Sequence, residues 1–241
     1  MITVILNCYK RTQYLEEQLQ AVKNQSIAAS DIWIWYNSPG EHEDLSKYGL
    51  KVMYSTHNFK YHARFAAGLL AQTEYVAFFD DDTIPGINWF KNCMDTIKSG
   101  YDGILGTSGV CPKTNKSYIP ADKYGWNAVK LDTVKEVDLV GHAWLMKKDH
   151  LRYLWYEEPC SWENGEDMQL SYMAQKYGGI KTYVPPHPMS DKSMWGSLPV
   201  QGMKYGSDDN ASWTKNKLHF KQRNKVVADQ VKLGWKLLCD V

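Results

Sequence analysis

Three consecutive aspartates, Asp80-Asp81-Asp82, follow directly on the apolar run Tyr75-Val76-Ala77-Phe78-Phe79. Carboxylates held this close repel one another, and a divalent cation relieves the repulsion most cheaply. Side chains alternate along an extended segment, so Asp80 and Asp82 project to one side and Asp81 to the other. Hard carboxylate oxygens suit Mn²⁺ or Mg²⁺ rather than zinc, and such an ion keeps open positions that phosphate oxygens of a nucleotide fill. The rival reading is an acidic turn that solvates its own charges. The strand before it and Pro85-Gly86 after it favour the metal. A second acidic pair, Glu166-Asp167, follows Asn164-Gly165 at the start of a helix-patterned segment. The positive end of a helix dipole favours ionised carboxylates there, although simple N-terminal capping explains one acid equally well.

The elements that must position these residues alternate. Residues 2–6 form a β-branched apolar run, the mark of a strand buried on both faces. Residues 10–24 carry Tyr14, Leu15, Leu19 and Val22 at helical spacing. Strands are predicted at 32–36, 51–55 and 75–79, with a helix from about 62 to 72 between the last two. This order predicts an α/β layer structure with a largely parallel sheet, in which ligands bind beyond the carboxyl ends of the strands. The second half is less regular. A strand at 102–107 is followed by a long loop through Pro112 and Pro120 to Trp126, then an extended stretch at 137–146 broken at Gly141. A helix at 165–177 ends at Gly178-Gly179, a strand covers 180–184, a Gly-, Asp- and Ser-rich loop spans 190–212, and a helix covers 215–238.

Composition narrows the class. The 28 basic and 27 acidic residues give a net charge of +1, too balanced for a nucleic-acid coat or a polybasic membrane binder. Five scattered cysteines form no C-x-x-C pair, which argues against a zinc knot or a disulfide framework and fits reduced thiols in the cytoplasm. No apolar stretch approaches a membrane span, and the first residues read as a strand rather than a signal peptide. The 241 residues are expected to form a single domain, with 1–110 as one half and 111–241 as the other.

Taken in order, several segments resemble the glycosyltransferase domain of the exostosin family, a GT-A fold. They are the opening strand and basic loop from Val4 to Arg11, Trp35-Tyr36-Asn37-Ser38-Pro39, the triple aspartate, Val140 to Leu145, Asn164 to Met168, and His219-Phe220-Lys221-Gln222-Arg223. The resemblance implies a Rossmann-like sheet flanked by helices and a metal-dependent transfer of sugar from a UDP-sugar to an oligosaccharide or glycoprotein glycan, with retention. Arg11 and Asn37 would hold the uridine, with Asn58 and Arg64 nearer the ribose and diphosphate. Asp80, with Asp81 beside it, would contact the nucleotide sugar, and Asp82 would bind Mn²⁺ or Mg²⁺. Asp167, with Glu166, would face the reacting sugar, and Arg223 would neutralise the diphosphate. The family's cysteine before the acidic pair is Gly165 here. The resemblance also suggests His187, within Pro185-Pro186-His187-Pro188, as an extra metal ligand; a proline-flanked surface histidine is the alternative. Trp126, Trp162, Asp191 and Trp195 are candidate sugar contacts, with core packing the alternative for each tryptophan. A sugar-1-phosphate nucleotidyltransferase and a non-catalytic glycan-binding module are the rival functions. Against the first stands the missing Gly-rich phosphate loop near the first strand.

Overall fold

The computed structural model describes residues 1–40, 43–207 and 218–240. Its centre is a nine-stranded sheet in which β1 (Ile2–Cys8), β2 (Asp31–Tyr36), β3 (Lys51–Tyr54) and β4 (Tyr75–Phe79) run parallel in the order β3-β2-β1-β4. All five residues of β4 are buried, as a strand covered on both faces requires. The chain winds outward from β1 to β3 and then returns to place β4 on the other side of β1. That reversal opens a crevice at the carboxyl ends of β1 and β4. Helices α1 (Leu15–Lys23) and α2 (Ala63–Gly68) lie between these strands in the chain and bury Leu15, Leu19, Val22 and Phe65 against the two sheet faces.

From β4 the sheet changes character. Helix α3 (Trp89–Lys98), which the sequence reading passed over, buries Trp89, Phe90 and Cys93. The stretch expected as a loop up to Trp126 is instead a hairpin of β5 (Ile104–Thr114) and β6 (Ser117–Gly125). Its prolines are tolerated because Pro120 lies on β6, off the main path of the sheet and paired there with β5, and Pro112 lies beyond the last β5–β8 pair, Val110 with Leu139. After β7 (Lys135–Val137), strand β8 (Leu139–Lys147) runs antiparallel to both β4 and β5, and it continues through Gly141 instead of breaking there. The β5–β8 register slips between Gly106–Trp144 and Ser108–Gly141, so β8 carries one extra residue at this point.

Helix α4 (Glu166–Gly178) and strand β9 (Thr182–Val184) follow as expected. The expected loop at 190–212 contains helix α5 (Pro199–Tyr205), opened by proline at its first turn. The remainder of that loop, from 208, lies outside the described residues, as do 215–217 of the expected final helix. That helix, α6, is described as His219–Lys232. All five cysteines are free thiols. Among the described residues no helix is long and apolar enough to cross a membrane.

Candidate active site

A cleft of about 450 Å³ opens at the crevice between β1 and β4. Arg11, Asn37, Asn58, Arg64, Asp80, Asp81, Asp82, Glu166, Asp167 and Arg223, ten residues singled out from the sequence, all line it. The loop after β1 supplies Arg11, whose Nη1 donates to Asp81 Oδ1 and Asp82 Oδ2, both at 2.9 Å. Burial, then the neighbouring Asp82 charge, pushes Asp81 up to about 8 against the pull of Arg11. Asn37 and Asn58 spend their side-chain amides on the loop between β3 and α2. Asn37 Oδ1 accepts from the Phe59 amide at 2.9 Å, its Nδ2 donates to the Lys60 carbonyl at 2.8 Å, and Asn58 Oδ1 accepts from the Lys60 amide at 2.8 Å. They shape one wall of the cleft.

Arg64, 2% exposed, bridges the two acidic groups. It pairs with Asp80 and donates through Nη2 to Glu166 Oε1 at 2.8 Å, with its guanidinium 4.7 Å from the centre of the Trp144 ring. Burial disfavours the Arg64 charge, but Asp80 and Glu166 outweigh burial and raise its pKa. Burial also raises Asp80, and burial together with Asp167 brings Glu166 up to about 7. At the far wall Arg223 of α6 grips Asp167 with both terminal nitrogens, Nη2 to Oδ2 at 2.7 Å and Nη1 to Oδ1 at 3.2 Å. Such a fork fixes the carboxylate's orientation as well as its charge. Gly165 precedes the pair at φ +93°, and a Cβ there would lie 3.0 Å from Val226 of α6, which is why a glycine stands at this position.

The register slip in β8 falls at His142, which adopts φ +67°. Its carbonyl accepts from the Asp80 amide at 3.0 Å and from Thr83 Oγ1 at 3.1 Å, tying the bulge to the acidic turn. Asp80, Asp82 and His142 each present a ligand atom, all within 4.8 Å of one another. Two carboxylate oxygens and an imidazole nitrogen suit Mn²⁺ better than Mg²⁺, which favours oxygen alone. Six acidic side chains line the cleft against Arg11, Lys60, Arg64 and Arg223, and burial and mutual repulsion push two of them, Asp81 and Glu166, toward holding a proton, a repulsion that a divalent cation would relieve. The residues present therefore fit the metal.

His187 is not part of this cluster. It is fully buried, its Nδ1 donates to the Pro185 carbonyl at 2.7 Å, and its Nε2 lies 2.8 Å from Thr107 Oγ1. Both ring nitrogens are engaged within the protein, and burial lowers its pKa to about 4. Three of the other weak candidates, Trp126, Trp195 and Asp191, do not line the cleft. Trp126 is buried with its ring edge-on to His142 at 5.6 Å. Trp195 is buried and donates to the Pro188 carbonyl at 2.9 Å. Asp191 caps a short turn by accepting from the Ser193 amide at 3.0 Å. The sequence reading missed His142, and its one signal was the apparent break at Gly141. It also missed Tyr118, which stacks under Arg223 at 4.3 Å.

A family model for glycosyl transferase family 2 matches residues 3–155, and the chain belongs to that family. Its fold is the GT-A fold. Among solved structures it is similar to S. aureus TarS, at 14% identity and a TM-score of 0.54, over 77% of this chain and 36% of that one. It is also similar to TarS 1-349, at 14% identity and a TM-score of 0.57, over 95% of this chain and 70% of that one. TarS 1-349 in complex with UDP gives 15% identity and a TM-score of 0.54, over 77% and 57% of the two chains. This chain thus spans little more than a third of the longest TarS chain it matches. No curated protein matches the sequence.

Proposed function

We propose that the protein transfers a sugar from a UDP-sugar to a hydroxyl of a glycan acceptor with the help of a divalent cation. The observation that carries this reading is the unbroken run of charge in one cleft. It passes from Arg11 and Asp82 through Asp80, Arg64 and Glu166, and the Asp167–Arg223 pair closes it. That UDP occupies one of the similar structures supports the choice of nucleotide. Asp80, Asp82 and His142 would hold Mn²⁺. When bound, the ion supplies Lewis-acid stabilisation of the departing diphosphate.

The chain's own residues do the rest. Cleavage of the sugar–diphosphate bond builds positive charge at the anomeric carbon, and Glu166 and Asp167 stabilise it through space. Asp167, aimed by the Arg223 fork, takes the proton of the acceptor hydroxyl as that oxygen attacks. Arg11 and Arg64 are already committed to the aspartates, so they hold the acidic turn in place until the donor arrives. The exostosin likeness implies retention. A carboxylate clamped by Arg223 on the cleft wall, placed to act as a base, supports single displacement with inversion, and we adopt the latter. Proton NMR of the first-formed product reads the anomeric configuration, and a retained anomer would overturn this part of the reading. The two halves share the work, with 1–110 holding most of the donor wall and 111–241 adding His142 and the acceptor wall.

Calorimetric titration of UDP tests the core of the proposal. Binding in Mn²⁺, lost in EDTA and in Asp82→Ala, is the expected result. UDP binding that ignores both would sink the metal site, and no binding at all would sink the donor site.

A further inference from the structure

Resting on the transferase reading, we propose that Trp162 is the stacking platform for the acceptor and that the acceptor is a pyranoside presenting an apolar C–H face. Trp162 is 49% exposed. Every other tryptophan among the described residues is buried or half-buried, several of them completely. An indole left in water forfeits burial that the rest of the chain exploits, and an aromatic with one apolar face and one polar edge is what sugar recognition uses.

Its position is the second argument. Trp162 directly precedes Glu163 and Asn164, which line the cleft, and lies five residues before Asp167. The segment is pinned to the opposite rim. Lys60 Nζ lies 3.0 Å from Glu163 Oε2, and the Trp162 ring rests 5.1 Å from the ring of His62, tilted by 60°. An exposed side chain held from behind in this way is pre-organised, so little freedom is lost when a ligand covers it.

His62, 1% exposed, backs the Trp162 ring from inside the fold, with its ring nitrogens shut off from the surface. The donor walls are dominated by guanidiniums and carboxylates, whereas Trp162 offers an exposed aromatic face, which suits an uncharged sugar ring better than a phosphate.

The test uses the intact protein with Mn²⁺ and saturating UDP. A panel of methyl hexopyranosides and disaccharides is followed by saturation-transfer NMR, with Kd from titration. The expected result is saturation concentrated on the C–H protons of one ring face. Trp162→Ala should then weaken the best binder by about 3- to 10-fold and Trp162→Phe by less, while UDP affinity stays unchanged. Unaltered saccharide affinity in Trp162→Ala, or no saturation of any saccharide by protein that binds UDP, overturns the proposal. Loss of UDP binding in the wild type would instead overturn the donor reading on which it rests.

Discussion

His142 lies on β8 and His187 just after β9, and their surroundings differ in the respects that decide a histidine's role. His142 sits on a strand bulge with a left-handed backbone, half-buried beside two aspartates. His187 sits behind a proline run, fully buried, with one ring nitrogen on a hydroxyl and the other on a carbonyl. A strained backbone retained beside acidic groups points to function, because a strand would otherwise relax it. A histidine with both nitrogens satisfied inside the protein is a structural strut. Residue type and nearness to a strand end, all that the sequence offered, do not separate the two.

The largest effect that would sharpen this contrast is on stability. His187→Ala strands Thr107 and the Pro185 carbonyl and opens a cavity between Trp89 and Trp195. We expect a loss of about 3–5 kcal/mol in urea melts with Mn²⁺ affinity unchanged. A metal-binding defect in refolded His187→Ala would break the comparison.

Acid should act next. His187 is held at about 4, while an unfolded histidine titrates near ~6.5. The unfolded chain therefore takes up a proton that the folded chain refuses. The stability from this residue is complete above roughly pH 6.5 and falls as pH drops toward the folded value, by up to ~3 kcal/mol. Wild type minus His187→Gln, followed by denaturant melts from pH 7 to pH 4, isolates that slope. His62, also lowered to about 4 by burial and by Arg64, contributes in the same direction and remains in both proteins.

His142→Ala should leave the melting temperature nearly unchanged and weaken Mn²⁺ binding by about 10- to 100-fold, the range seen when groups supporting a metal are removed. Electron paramagnetic resonance of free Mn²⁺ measures this directly, and equal affinity would remove His142 from the site. The smallest effect concerns Thr107→Val, which takes one hydrogen bond from His187 and should cost about 1 kcal/mol. A cost near zero would mean that the imidazole is held by packing alone.

The legible parts of the molecule are those where one local signal suffices. Four apolar runs placed β1 to β4, and the runs of acid at Asp80 and Glu166 sit at the ends of elements, where a side chain must face a crevice. The illegible parts depend on pairing between distant segments. Pro112 and Pro120 read as loop residues until the pairing is seen: Pro112 lies on β5 beyond its last pair with β8, and Pro120 on β6, paired in the sheet with β5, so their missing amide hydrogens are not needed. His142 faces Asp82 only because β8 gains a residue against β5, a fact of register that neither strand shows alone. Arg223 does line the cleft, but its pairing with a carboxylate 56 positions away in the chain is a contact that neither segment shows alone.

Arg64 has one charge and two claimants, Asp80 on one wall of the cleft and Glu166 on the other. Whatever neutralises Asp80 leaves the guanidinium to Glu166 alone, and by thermodynamic reciprocity the second wall must register what binds at the first. Affinity at either wall should therefore depend on what occupies the other, a coupling that paired titrations would reveal and that Arg64→Lys, able to reach only one carboxylate at a time, should weaken.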